Sequence, residues 1–191
     1  MDMQGLYAGC RTYRRFKQEP IPKEILEKIV NTARERSSAM NGQILRYLVA
    51  ASLETVKKIQ PCLSWAAKLP KEIGTPTENE QPVAFVILLK PENAHPFADI
   101  DMGIVLDTMA VTAWYYGIGS CMLGAINREK LAEAIEIPAG YEVKMILALG
   151  YPDHMSTIVP VKEEGNLSYY VDGNRDYYVP KLSAEEVITY V

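Results

Sequence analysis

A chain of 191 residues, 48% of them hydrophobic and 23% charged, has the arithmetic of one ordinary globular domain spanning residues 1–191 and excludes a disordered or fibrous chain. It buries roughly 70% of the surface its unfolded form exposes, enough to need neither disulfides nor a structural metal. The 20 Lys and Arg against 24 Asp and Glu give a net charge of -4; nucleic acid is therefore not an expected partner, because its binders normally carry a basic surplus.

Cys10, Cys62 and Cys121 are odd in number and far apart, so they form neither a disulfide framework nor a metal cluster, and a reducing cytoplasm is the expected compartment. The N-terminal MDMQGLYAGCRTYRRF lacks the long apolar core of a signal peptide. The longest apolar stretch, Met102 to Tyr116, contains Asp107 and is shorter than the roughly 20 residues that span a bilayer. No membrane partner is expected.

In chain order the sequence opens with a basic loop. Pro22 then starts a helix to about Arg36, with Ile25, Leu26, Ile29, Val30 and Ala33 at helical spacing. SSAMNGQ is turn chemistry, and Tyr47 to Ala51 reads as a short strand. Ser52 caps a helix continued by Leu53, Val56, Ile59 and Leu63, after which Pro70 and GTPTENEQP (Gly74 to Pro82) read as a long, mobile, lid-like loop. PVAFVILL (Pro82 to Leu89) is a strand buried on both faces, ended by Lys90 and Pro91. Asp99 to Gly117 is apolar on nearly every side, which marks a core helix and a candidate dimer helix. Gly117, Gly119 and Gly124 frame SCML, where backbone could approach a flat ligand. Asn127 caps a helix ending near Ile135, VKMILAL (Val143 to Leu149) is a second clear strand stopped by Gly150 to Pro152, and Ser183 with Glu186 has capping-box spacing for a short C-terminal helix. Strands and helices do not alternate cleanly, so an α+β layered domain is expected.

Two segments carry candidate chemistry. In Arg11 to Phe16, alternation puts Arg11, Tyr13 and Arg15 on one side of an extended segment, and two guanidinium forks on one face suit a phosphate; the competing reading is a solvated basic loop. In Ser37 to Gln43, small side chains and amides at the mouth of a strand can pair with the edge of a heterocycle, or make no more than a turn. His95 and His154 sit in no metal or nucleophile motif and read as surface histidines. There is no GxGxxG, Walker loop or nucleophile elbow, so no catalytic side chain and no metal ligand is assigned.

Taken in order, these pieces resemble the FMN-dependent nitroreductases. CRTYRRFKQEPIPKEILEKI is similar to that family's RRSxRxF segment and proline-started helix, and ARERSSAMNGQILRYLVA to its APSxxNxQPWxF. DMGIVLDTMAVTAWYYGIGSCMLGAI is similar to its central helix and LGxGSCWLG, MILALGYP to its strand ending in LGYP, and VPKLSAEEVITYV to its closing basic residue and acidic helix. The resemblance covers most of residues 8–66 and 98–191. It implies a nitroreductase-like α+β fold with a central, mostly antiparallel sheet flanked by helices, an intertwined homodimer, and one noncovalent FMN in each of two interfacial sites. Carried over, Arg11 and Arg15 lie near the ribityl phosphate and the pyrimidine end of the flavin, Thr12 and Tyr13 line the same wall, and Lys181 completes the phosphate site. Ser38, Ala39 and Asn41 come from the partner subunit with Gln43 nearby, and Leu123 and Gly124 present backbone to the ring. Three departures accompany the match: Tyr13 in place of the first motif's Ser, Ile44-Leu45 in place of Pro-Trp, and Met122 in place of a tryptophan.

The implied activity is a ping-pong reduction of nitroaromatics, quinones or similar electron-poor acceptors by NADH or NADPH, with the flavin carrying the chemistry and Arg15 favouring its anionic reduced form. No dinucleotide-binding fold is present to choose between the two donors. Two other readings compete. One is a flavin-handling protein of the same fold without general reductase activity; the other is an interaction domain whose apolar helix only dimerises. The tyrosine-rich YYVDGNRDYY, Tyr169 to Tyr178, reads as a hairpin or arm against the partner.

Overall fold

The apolar run around Val86 becomes the centre of a sheet. In the computed structural model, which describes residues 2–162 and 165–191, it forms β3 (Ala84–Pro91), whose residues from Ala84 to Leu89 are all buried. It lies between β2 (Arg46–Ala50) and β5 (Tyr141–Pro152), antiparallel to both. β5 also pairs antiparallel with β4 (Gly119–Leu123), through Ile146 to Gly150, and with β1 (Phe16–Lys17), through Tyr151 and Pro152.

Alternation along β3 divides the core in two. Phe85, Ile87 and Leu89 pack with Val56 and Ile59 of α3 (Leu53–Ile59) and Leu131 of α6 (Arg128–Ala134). Ala84, Val86 and Leu88 face Leu26, Ile29 and Ala33 of α2 (Lys23–Arg34), and Met102, Val105 and Met109 of α5 (Ala98–Tyr115). The register slips between Leu88 and Leu89, which pair with Met145 and Val143. Lys144 is the extra residue of a bulge, and this puts Val143 on the same face as Ile146 and Ala148 although the parity of their numbers differs. The fold is therefore α+β, an antiparallel sheet with helices on both faces.

α5 is apolar on nearly every side, with Asp99 and Asp107 exposed, and its two faces meet different surroundings. Ala98, Asp101, Met102, Val105, Leu106, Met109, Ala110 and Ala113 are buried against the sheet and α2, while Ile100 and Tyr115 on the opposite face remain 58% and 71% exposed.

Differences from the sequence expectations have local causes. The basic start is preceded by α1 (Met3–Gly9), capped by the Asp2 side chain. α3 stops at Ile59 and tightens into a one-turn 3-10 helix, Gln60–Cys62, at Pro61. The polar stretch expected to be a long mobile loop contains α4 (Lys71–Gly74) and a 3-10 turn, Glu78–Glu80, closed by a Thr77/Glu80 capping box. Gly150 to Pro152 does not stop β5, because Phe16 and Lys17 pair with Pro152 and Tyr151.

The last part of the chain forms a separate small sheet of β6 (Ser156–Pro160), β7 (Tyr170–Val171) and β8 (Tyr177–Lys181), in which β8 runs parallel to β6 and antiparallel to β7. The tyrosine-rich segment is thus a hairpin. α7 (Ala184–Val187) follows, opened by the Ser183/Glu186 capping box. Among the described residues no helix is long and apolar enough to cross a membrane.

Candidate functional site

The N-terminal arginine segment is built into the fold by backbone pairing. The Tyr13 amide donates to the Ser120 carbonyl at 2.8 Å, Thr12 bridges Ser120, and Phe16, fully buried, anchors β1 against β5. Two glycines make room for this crossing: a Cβ on Gly119 would meet the Tyr13 ring and Pro152 at 2.8 Å, and one on Gly150 would meet Phe16 at 2.8 Å. The close approach expected at Gly119 is therefore to Tyr13, not to a flat ligand.

Tyr13 itself does not line a wall beside Arg11 and Arg15. Its ring stacks on Trp114 with centroids 5.2 Å apart, its hydroxyl donates to the Gly9 carbonyl at 3.2 Å, and burial, followed by the neighbouring Cys10, pushes its pKa up to about 12. Buried Phe16 also fixes the register of the segment against the RRSxRxF pattern. Counting back from it, Thr12 takes the serine position and Arg14 the third arginine, so the hydroxyl is retained and Tyr13 fills the free position that turns into the core.

The arginines have separate fates. The Arg14 guanidinium lies over the rings of Tyr169 and Tyr177, 4.8 and 5.0 Å from their centroids, an arrangement that holds the hairpin by cation–π attraction. Arg15, nearly buried, donates to the carbonyls of Arg175 at 3.0 Å and Asn174 at 3.4 Å and reaches Glu80 at 3.5 Å. Glu80 also takes Arg175 at 2.8 Å. Burial works against the Glu80 carboxylate, but the Thr77 amide and hydroxyl together with Arg175 outweigh it and hold the pKa below its ordinary value. Two guanidiniums against one carboxylate leave this cluster cationic. Arg11 is different: it is half-buried, its Nε is buried without a hydrogen-bond partner, and no acid pairs with it among the described residues. Thr12 beside it is exposed. Lys181, at the exposed end of β8, is likewise unpaired among the described residues.

The second segment forms a tight loop between α2 and β2. Met40 (φ 54°), Asn41 (φ 52°) and Gln43 (φ 48°) all adopt left-handed backbone; asparagine tolerates this, whereas methionine and glutamine meet a cost of about 1–3 kcal/mol each. Hydrogen bonds hold the shape. The Gln43 amide donates to Ser38 Oγ at 3.2 Å, the Gln43 side chain reaches Asn41 Oδ1 at 3.2 Å, and the Ala39 amide donates to Asp101 Oδ1 at 2.8 Å. The loop borders a cleft of about 590 Å3.

Within one chain the two segments are not brought together. The loop leads into β2 and the arginine segment lies on β4 and β5; β2 and β4 are separated by β3 and β5, three strand spacings or about 14 Å. On β4, Leu123 is buried in the core and paired with Ile146 of β5, whereas Met122 and Gly124 are exposed.

His154 is not a surface histidine. It is half-buried between Tyr13 and Tyr177, with ring centroids 5.3 and 4.9 Å away, and burial followed by the charge of Arg15 pushes its pKa down to about 4. His95 is half-buried beside Phe97. Burial pushes the Cys10 and Cys121 thiols up to about 11, which leaves them protonated and unreactive at neutral pH. Sequence reasoning missed Glu80, Arg175 and Asp101. Asp101 alone carried a signal, as an acid inside an apolar helix.

Arg11 and Lys181, without an acid partner among the described residues, and the net-cationic Arg15–Glu80–Arg175 cluster carry charge of the sign a phosphate dianion would pair with; among the described residues no hydrogen bond or ion pair joins Arg11 or Lys181 to that cluster or to each other. A model of the Nitroreductase family matches residues 8–151, more than half of the chain. A Bacillus subtilis protein named FMN reductase (NAD(P)H) is 24% identical over 172 residues, covering 78% of this chain; the chain spans 66% of that relative's length, just under two thirds. Among solved structures, a nitroreductase with bound FMN from Desulfitobacterium hafniense superposes with a TM-score of 0.70 at 19% identity over 100% of this chain and 99% of that one. An FMN-dependent nitroreductase from Clostridium difficile R20291 gives 0.68 at 20% identity over 81% and 90%.

Proposed function

This chain belongs to the nitroreductase family, and from that membership we propose that it is an FMN-dependent NAD(P)H oxidoreductase, acting as a homodimer on nitroaromatics, quinones or similar electron-poor acceptors. The observation that carries the reading is Arg11, a half-buried cation without a counter-charge among the described residues, whose Nε lacks a partner inside the family-matched segment. When bound, FMN supplies a two-electron step that accepts hydride from NADH or NADPH and delivers it to the acceptor in a ping-pong cycle.

The chain's own residues bind and orient. Arg11 and the Thr12 hydroxyl hold the phosphate, and Lys181 approaches it from the end of β8. The cationic Arg15–Glu80–Arg175 cluster, rather than Arg15 alone, supplies the positive field at that side of the site and favours negative charge on the reduced ring. Leu123 and Gly124, at the end of β4, would present backbone to the ring, Gly124 being the exposed one of the two. Ser38, Ala39, Asn41 and Gln43 reach it from the second subunit, consistent with the strand order that holds that loop apart from Arg11 within one chain. Ile100 and Tyr115, exposed near the two ends of α5 with Asp107 between them, are the apolar side chains this helix offers to such a dimer.

The role of Arg11 is tested by titrating FMN into the wild type and Arg11→Ala and following flavin fluorescence. Loss of a charge-assisted phosphate contact raises the FMN dissociation constant about tenfold or more; an unchanged constant removes Arg11 from the site.

A further inference from the structure

Asp101 is a carboxylate where the helix has no use for one. It is 3% exposed in an otherwise apolar face of α5, Oδ2 is buried without a hydrogen-bond partner, and the single hydrogen bond of Oδ1 leaves the helix altogether, to the Ala39 amide 62 positions earlier in the chain. Burying a carboxylate is unfavourable unless it is paired, so its presence is explained by what it holds.

What it holds is a strained loop that is supported by hydrogen bonds more than by packing. Three of the residues from Met40 to Gln43 adopt left-handed backbone and none of them is glycine. Met40 is 83% exposed and contributes no packing. The cleft of about 590 Å3 bordered by Ser37, Ser38, Gln43 and Asp101 leaves this side of the loop unfilled. Strained backbone persists only where its surroundings over-determine it. Here the determinants are hydrogen bonds: within the loop the Asn41 amide donates to the Ser38 carbonyl at 3.0 Å, the Gly42 amide to the Ala39 carbonyl at 2.9 Å and the Gln43 amide to Ser38 Oγ, Arg46 donates to the Gln43 carbonyl at 2.9 Å from β2, and Asp101 alone ties the loop to α5.

We propose that Asp101 is a positioning residue that fixes the conformation of residues 38–43 through the Ala39 amide and so presents Ser38, Asn41 and Gln43 in the geometry that the flavin site requires. The second half of this statement rests on the proposed function; the first does not.

The test uses the full chain with and without FMN and compares Asp101→Ala, Asp101→Asn and Ala39→Pro with the wild type. Asparagine keeps an acceptor oxygen in place. Proline removes only the donated N–H, and the extended backbone of Ser38 (ψ 155°) accepts a following proline. Hydrogen exchange in the FMN-free protein is read at residues 39–43, with β3 as the reference for global stability. Loss of a hydrogen bond to a charged acceptor speeds exchange in the loop about tenfold or more in Asp101→Ala, with β3 unchanged. The Asn variant stays within about threefold of the wild type, and Ala39→Pro loosens Gly42 and Gln43 as Asp101→Ala does, with no further loosening when the two are combined. If Asp101→Ala does not fold, the Asn and Pro variants carry the comparison alone. Loop exchange equal to wild type in Asp101→Ala and Ala39→Pro overturns the proposal, as does an Asn variant no better than Ala. A looser loop with raised FMN dissociation constant supports both halves. A looser loop with unchanged FMN affinity supports Asp101 as the holder of the loop and refutes the contact of that loop with flavin.

Discussion

Replacing Glu80 with Gln tests whether the C-terminal hairpin is fastened to the arginine segment by charge. Glu80 accepts from Arg175 at 2.8 Å, from Arg15 at 3.5 Å, and from the Thr77 amide and hydroxyl at 3.0 and 2.9 Å. Its side chain is 15% exposed and that of Arg15 11%, so water screens this cluster less than an ordinary surface pair. Glutamine fills the same space but keeps one acceptor oxygen for four donor groups, and it leaves two guanidiniums without their shared counter-charge. Removing one partner of a largely buried pair costs about 3–5 kcal/mol; with the Arg175 side chain 30% exposed and one acceptor retained, about 2–3 kcal/mol remains, or a Tm lower by roughly 4–12 °C. The pH dependence carries a definite sign. The Glu80 pKa in the folded protein lies below its ordinary value of 4.5, so the unfolded chain binds the proton more readily, and the stabilisation is complete above 4.5 and lost as pH falls through the depressed folded value. Thermal unfolding of wild type and Glu80→Gln at neutral pH and at successively lower pH measures both effects: the gap in Tm is full at pH 7 and narrows below 4.5. No gap at pH 7, or a gap indifferent to pH, refutes the argument.

Other consequences follow from packing and burial. Gly119→Ala drives a Cβ to 2.8 Å from the Tyr13 ring and Pro152, an overpacking that costs about 1–3 kcal/mol and lowers the urea midpoint; an unchanged midpoint contradicts the crossing described for the N-terminal segment. The folded pKa of His154, about 4, lies below the ordinary 6.5, so its contribution to stability is present above 6.5 and is lost as pH falls from 6.5 towards 4. Its ring proton resonances should titrate near 4 by NMR, and a midpoint near 6.5 would show a solvated ring instead.

Much of the fold is written locally in the sequence. Pro22 with the spacing of Leu26, Ile29 and Ala33, the Asn127 cap, the Ser183/Glu186 box and the unbroken apolar run of β3 each declare their element without tertiary context. What was not legible depends on partners distant in the chain. β4 contains a glycine that reads as a break until Tyr13 is seen to occupy the space its side chain would need, and β5 runs through Gly150 to Pro152 only because Phe16 and Lys17 lie alongside. The same holds at the site. Alternation along Arg11 to Arg15 assumes one uniform extended face, but Tyr13 turns to Trp114, Arg14 to the tyrosines of the hairpin and Arg15 to Glu80, over sequence separations that no local pattern encodes. Asp101 stands out only as a charge within an apolar helix, and its meaning comes from Ala39.

The central claim is tested most directly by an absorbance spectrum of the purified protein after reconstitution with FMN and desalting, followed by anaerobic addition of NADH and, separately, NADPH. The account predicts that yellow colour is retained and bleaches with at least one nucleotide. Retained colour that neither nucleotide bleaches contradicts the reductase, and no retained colour contradicts the phosphate site formed by Arg11, Thr12 and Lys181.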